Sequence, residues 1–254
     1  MTNRTSGKRV LVTGASSGIG LAVAETFAKS GATVAMNYLP DDDRGRSEVS
    51  RLKGDGLLVF AAQGDVSRAG DAERMVCQAI ASLGGLDYLV NNAGTALTDE
   101  PIPNTQLDQL TEEFWSGILS TNLIGPFRCT KAAAEALRRS HGAVVNTVSV
   151  GGLDMVGSSM AYGASKAGLI NLTKNLARGL APDVRVNAVA PGLVETAWTH
   201  SWPEERKHAL IQRSLLRRAC IAQDIADVIL FLCIGTGMIT GQTIVVDGGL
   251  SLAG

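Results

Sequence analysis

Short apolar runs, several of them rich in valine, alternate along the chain with stretches whose apolar positions recur every three or four residues. The runs predict strands at 9–14 (RVLVTG), 33–38 (TVAMNY), 57–63 (LLVFAAQ), 86–92 (LDYLVNN), 143–149 (AVVNTVS), 184–190 (VRVNAVA) and 243–248 (TIVVDG). The helical periodicity predicts helices near 18–29, 45–53, 68–83, 108–120, 123–139, 159–180 and 223–234. Strands that alternate with helices almost to the C-terminus make βαβ units, so the expected class is α/β with a parallel sheet. No repeat or Pro/Gly/Ser linker divides the chain, and one domain over 1–254 is expected, with a flexible tail over 1–7. Two long connections, 95–109 and 194–218, follow strands, and loops at the carboxyl ends of parallel strands surround the ligand crevice. The second is expected to be a substrate loop.

Composition narrows the function classes. Hydrophobic residues make up 45% and charged residues 19%, which suits a packed globular chain. The 23 basic and 24 acidic residues leave a net charge of -1, with no footprint for nucleic acid or an anionic membrane. The run VILFLCI (228–234) is too short to span a bilayer, and MTNRTSGKR at the start lacks the apolar core of a signal peptide, so a cytoplasmic protein is expected. Cys77, Cys129, Cys220 and Cys233 show no metal-ligand spacing and are expected as reduced thiols in or near the core. No metal is implied. His141, His200 and His208 have no triad or metal context, so surface or loop positions are expected, and hydrolase chemistry is set aside.

The first strand runs into TGASSGIG (13–20) and then an apolar-periodic helix. Gly14, Gly18 and Gly20 permit a tight turn, close approach to a pyrophosphate and packing of the helix against the sheet, and Ser16, Ser17 and Ile19 lie in the same turn at a helix N-terminus that favours anions. The spacing Gly-x-x-x-Gly-x-Gly departs from the commoner Gly-x-Gly-x-x-Gly. Asp65 and Val66 follow the third strand, where the carboxylate suits an adenine amino group. Asn92, Ala93 and Gly94 follow the fourth, where small residues let a ribose pass. In AYGASKAG (161–168), Tyr162 and Lys166 stand one helical turn apart on one face. A free phenol titrates near ~10, and a neighbouring cation is expected to lower that value and make Tyr162 a proton donor and acceptor. Ser149 ends the fifth strand, within reach of the same substrate oxygen.

TGASSGIG, NNAG (91–94), Asn122 in STNLIG, Ser149 in NTVSVGG, Tyr162 and Lys166 in AYGASKAG, and PGLVET (191–196) occur in the order and approximate spacing of one family. The chain resembles the classical short-chain dehydrogenase/reductases from about Lys8 to Gly249. The resemblance implies a single-domain Rossmann fold: a doubly wound, seven-stranded parallel sheet with helices on both faces. It implies that Ser149 hydrogen-bonds the substrate oxygen, that Lys166 also binds the nicotinamide ribose, and that Asn122 holds a water linking Lys166 to solvent. Pro191, Gly192, Val194 and Thr196 match the segment that holds the nicotinamide carboxamide. A homotetramer built through the 159–180 helix and its predecessor is also implied, and this helix is apolar along more than one stripe.

At the tip of the second strand, Asn37 and Tyr38 stand where the resemblance implies cofactor contacts, with Tyr38 where an NAD-binding acid is expected. Asn37, Ser16, Arg44 and Arg46 could serve a 2′-phosphate, although Asp41, Asp42 and Asp43 adjoin them, and Leu39 stands where NADP-preferring members often carry arginine. NADP(H) is expected as cofactor, with NAD(H) as the alternative. Leu153, Met155, Trp198 and Trp202, with His200 and the 95–105 loop, are expected to wall a moderately apolar carbonyl or secondary-alcohol substrate, bound at Ser149 and Tyr162. The 3-oxoacyl carrier-protein reductase and glucose dehydrogenase branches are resembled equally. The alternatives are a 3-oxoacyl carrier-protein reductase specifically, a catalytically idle dinucleotide sensor, and an epimerase or dehydratase of the extended relatives. The last would need a further substrate lobe, and the idle sensor would normally show a broken catalytic set.

Overall fold

The computed structural model describes residues 5–153, 155 and 157–253. All seven predicted strands form: β1 (Arg9–Val12), β2 (Thr33–Tyr38), β3 (Val59–Gln63), β4 (Tyr88–Asn91), β5 (Ala143–Thr147), β6 (Arg185–Pro191) and, last in the chain, β9 (Thr243–Val246). They make one sheet in the order β3-β2-β1-β4-β5-β6-β9. Every pairing in it is parallel. The order reverses direction between β1 and β4, which opens a crevice at the carboxyl ends of those strands.

Helices α1 (Gly18–Lys29), α2 (Asp43–Gly54), α3 (Asp71–Leu83), α4 (Glu112–Leu119), α5 (Gly125–Ser140), α6 (Met160–Leu180) and α8 (Ala222–Ile234) lie close to the predicted positions. Side chains alternate across each strand, so each face builds its own core. Val10 and Val12 of β1, Val90 of β4 and Val145 of β5 pack with α1, α2 and α8 through Phe27, Leu52 and Ile229. Leu11, Leu89 and Val144 face the other way, toward Met75 of α3 and Leu137 of α5. The inner strands β1, β2, β4, β5 and β6 are buried on both faces, which is why they read as continuous apolar runs, whereas the edge strands β3 and β9 leave Phe60 and Val245 partly exposed.

Three features depart from the sequence expectation. The 194–218 segment is not simply loop: it holds a two-stranded parallel pair, β7 (Val194–Glu195) with β8 (Cys220–Ile221) just beyond it, and helix α7 (Glu204–Arg213). The expected tail over 1–7 is anchored at Thr5, which is fully buried and donates through Oγ1 to the Phe27 carbonyl; residues 1–4 lie outside the described residues. Cys77 is exposed on α3, whereas Cys129, Cys220 and Cys233 are buried free thiols. The three histidines are exposed. Among the described residues no helix is long and apolar enough to cross a membrane, and no His/Cys/Asp/Glu cluster could hold a metal.

Candidate active site

The glycine turn sits at the reversal of the sheet order. Gly14 and Gly18 adopt φ of 62° and 52°, the left-handed region where a side chain is strained. A Cβ on Gly14 would also come within 2.8 Å of the Ala93 backbone. Asn92 locks the turn from β4, its Nδ2 donating to the carbonyls of Thr13 (3.2 Å) and Gly14 (3.1 Å). Ser17 caps α1 without a side-chain hydrogen bond, so the first helical N–H groups remain available to an anion. Gly20 takes the packing part expected among these glycines rather than a cofactor-lining one. It is buried and does not line the cleft, and a Cβ there would stand 2.1 Å from the Gly14 carbonyl, so it packs the helix against the turn.

A cleft of about 650 Å³ runs from this turn across the strand ends. At one end it is lined by Ser16, Ser17, Asn37, Tyr38, Asp65 and Val66, at the other by Ser149, Met155, Tyr162, Lys166, Trp198 and Trp202. Ala93, Gly94, Pro191, Gly192, Val194 and Thr196 line it as well. Asn37 is spent on structure: its Nδ2 donates to the Ala62 and Gly64 carbonyls, both at 2.9 Å, and its Oδ1 accepts from Gly14 N at 3.2 Å. It ties three strand tips together and has no donor left for a phosphate. Leu153 is a correction: it is 42% exposed and outside the cleft, because the turn after β5 directs Met155 there instead.

Helix α6 carries the acid–base pair. Ser159 caps it, accepting from Tyr162 N at 3.1 Å, which sets Tyr162 in the first turn and Lys166 one turn on. Lys166 is only 3% exposed and donates to the Thr147 carbonyl of β5 at 2.9 Å. Burial pulls its ammonium down to about 8. Tyr162 opens onto the cleft, yet the protein packed around its phenol pushes the pKa up, and a hydrogen bond with Ser149 only partly offsets this. The lowering expected of Tyr162 is therefore reversed in the free chain, where desolvation outweighs the Ser149 hydrogen bond. Trp198 meets the Tyr162 ring edge-on, with centroids 6.0 Å apart.

Asn122 lies in a π-helical turn, Ser120–Ile124, joining α4 to α5. Its fully buried side chain accepts from Thr95 N at 2.8 Å and donates to Thr95 O and to Ser165 Oγ. Ser165 in turn donates to the Tyr162 carbonyl at 2.7 Å. The side chain does not line the cleft; it staples the segment after β4 to α6 beneath the catalytic pair. Sequence reading missed Ser159, Ser165, Thr147 and Thr95, whose parts in the site depend on contacts between distant segments. The Oγ atoms of Thr147 and Ser158 are buried without partners while both residues line the cleft. Buried hydroxyls left unpaired cost about 1–3 kcal/mol, which a ligand's polar groups would relieve. The glycine cradle, the free helix N–H groups and these hydroxyls fit a dinucleotide with a polar ring at its far end.

The chain matches the family model described as enoyl-(acyl carrier protein) reductase over residues 14–251. It is 37% identical over 246 residues to a 3-oxoacyl-[acyl-carrier-protein] reductase of Staphylococcus epidermidis, covering 96% of this chain and 98% of that protein. It is 42% identical to granaticin polyketide synthase putative ketoacyl reductase 2 of Streptomyces violaceoruber, covering 95% of each. The crystal structure of a putative short-chain alcohol dehydrogenase from Sinorhizobium meliloti superimposes with a TM-score of 0.88 at 35% identity, over 98% of each chain.

Proposed function

The chain belongs to the short-chain dehydrogenase/reductase family and is an NAD(P)-dependent oxidoreductase, and from that premise we propose that it interconverts a carbonyl and a secondary alcohol with Tyr162 as proton donor and acceptor. The observation that carries the reading is the convergence of Ser149, Tyr162 and Lys166 on one wall of the cleft, with Lys166 tethered to the Thr147 carbonyl.

When bound, the nicotinamide dinucleotide supplies or accepts the hydride. The glycine turn and the α1 N-terminus hold its pyrophosphate, Asp65 and Val66 border its adenine, and Pro191, Gly192, Val194 and Thr196 border its nicotinamide. Ser149 orients the substrate oxygen by hydrogen bonding. Tyr162 gives its proton to that oxygen in reduction and takes it back in oxidation. Its high pKa in the free chain keeps the proton on the phenol until the site is filled. Lys166 binds the ribose hydroxyls and adds positive charge beside the phenol, and Asn122 holds the backbone after β4 in place.

The substrate end is apolar: Leu97, Met155, Trp198, Trp202, Leu210 and Leu250 line it. An uncharged ketone or thioester-bound ketone of moderate size suits it, and the similarity to 3-oxoacyl and polyketide ketoreductases favours a 3-oxoacyl group. The test is a screen of ketones, aldehydes, sugars and acyl thioesters for consumption of reduced dinucleotide, repeated with Tyr162→Phe. The variant should lose about 10²–10⁴-fold in kcat; turnover at the wild-type rate would overturn the mechanism.

Assembly as a homotetramer belongs to the same reading. Ile124 and Phe127, at the start of α5, are 40% and 43% exposed, and α6 leaves Ala164 and Ala167 at the surface. Light scattering at micromolar concentration should give four times the chain mass, and a monomer would refute the assembly.

A further inference from the structure

The adenosine end of the cleft carries charge of one sign. Among the described residues that line the cleft, the acids are Asp42 and Asp65 and the sole cation is Lys166. Asp42 follows β2 and Asp65 follows β3, whereas Lys166 is bonded to the end of β5. In the sheet order β2 and β5 are three places apart, roughly 14 Å at the spacing of neighbouring strands. That exceeds the Debye length of about 8 Å at physiological salt, so Lys166 does little for charge at the far end.

The local cations are engaged or absent from the lining. Arg46 donates to the Pro40 carbonyl at 2.9 Å and pairs with Asp43. Arg68 pairs with Asp65 at 3.3 Å from a largely exposed position. Arg44 is exposed and does not line the cleft. Asp42 itself is fixed in place: as N-cap of α2 its Oδ1 accepts from Gly45 N at 3.2 Å. Tyr38 supports this turn, its ring lying so close to Gly45 that a Cβ there would stand 2.3 Å from Tyr38 Cγ.

We infer that Asp42 is a specificity-determining residue that selects a dinucleotide with a free 2′-hydroxyl on its adenine ribose and rejects one bearing a 2′-phosphate. This rests on the dinucleotide reading of the cleft, and it reverses the NADP(H) preference expected from the sequence. The carboxylate accepts hydrogen bonds from ribose hydroxyls, while a dianionic phosphate beside it meets like charge with no cation of the lining near enough to compensate.

The test is calorimetric titration of the protein with NAD⁺ and with NADP⁺, without substrate, for wild type, Asp42→Asn and Arg44→Ala. Asparagine keeps an acceptor for the Gly45 N–H, so α2 stays capped while the charge is removed. Wild type should bind NAD⁺ at least about tenfold more tightly. Asp42→Asn should narrow that ratio several-fold, and Arg44→Ala should leave it unchanged. Equal or tighter binding of NADP⁺ by wild type, a ratio indifferent to Asp42→Asn, or NADP⁺ affinity that collapses in Arg44→Ala would each overturn the assignment. Binding of neither dinucleotide would overturn the reading of the cleft and this inference with it, whereas tight NADP⁺ binding overturns the inference alone.

Discussion

Lys166 Nζ lies 5.6 Å from the centre of the Tyr162 ring while bonded to the Thr147 carbonyl at 2.9 Å, so the cation is moored beside the phenol by the backbone of β5. Burial drives the two groups in opposite directions on the pH scale, the lysine down to about 8 and the tyrosine up, and both shifts favour the neutral form. Lys166 is then a cation at neutral pH and loses its proton in the range where such enzymes are often assayed. The pH dependence of kcat/KM for the dinucleotide, at saturating carbonyl, reports groups on the free protein. It should fall as pH rises through about 8, and Lys166→Met should show a low, flat profile instead. A wild-type profile level from pH 7 to 9.5 would show that the ammonium does not support binding.

The same burial has a stability signature whose sign is the reverse of an ordinary ion pair. Because the folded-state pKa of Lys166 is below the value of 10.5 for a free lysine, the unfolded chain binds more protons between about 8 and 10.5. Stability contributed through this group therefore rises with pH across that window, and the cost of burying the ammonium is felt in full below it. Lys166→Met keeps most of the side-chain volume and should stabilise the protein at pH 7 by about 1–3 kcal/mol. The gain should shrink toward pH 10, as read from denaturant midpoints at several pH values. A destabilised variant at pH 7 would mean that the bond to Thr147 outweighs desolvation.

Trp198 offers a way to move the phenol without touching it. Its edge contact with Tyr162 covers the ring, although Trp198 is itself 39% exposed. Trp198→Ala removes an aromatic pair worth about 0.5–1.5 kcal/mol and lets water reach the phenol. KM for an apolar ketone should rise several-fold. The basic limb of kcat in the reductive direction should shift to lower pH as desolvation is relieved, and an unmoved limb would place Trp198 in the substrate wall alone.

These behaviours differ in how far the sequence exposes them. The five inner strands are legible because each is buried on both faces and so is apolar along most of its length, the edge strands β3 and β9 because they keep short β-rich runs, and TGASSGIG is legible because a turn that places Gly14 at positive φ against Ala93 admits few other residues. Helix α7 escapes notice because it has no fully buried residue and follows Pro203 in a polar stretch. The spacing of Tyr162 and Lys166 shows that they are neighbours, but the sign of the tyrosine's shift depends on how much protein surrounds it, which spacing does not carry. Asn37 and Asp42 exchange roles for a similar reason. Both adjoin the second strand's tip in sequence, yet the pairing of β2 with β3 consumes the amide of Asn37, and the start of α2 turns Asp42 to the cleft.

Two glycines separate the demands of the site from those of the helices. Gly20 in the first turn of α1 has the Gly14 carbonyl and Asn92 Nδ2 within 2.5 Å of where a Cβ would stand, both part of the packed turn. Gly20→Ala must push α1 away from the glycine turn and break the Asn92 bonds that hold it, with overpacking of this kind costing about 1–3 kcal/mol. Gly179 in α6 has nothing within 4 Å of its Cβ position. Gly179→Ala should therefore stabilise the protein by about 0.5–1 kcal/mol, since alanine loses less backbone freedom on folding into a helix. Thermal melts of the two variants should move in opposite directions, and only Gly20→Ala should weaken dinucleotide binding. If Gly20→Ala bound the dinucleotide with wild-type affinity, the turn would be more pliant than its packing implies. If Gly179→Ala lost stability, that surface of α6 would be covered in the assembled protein.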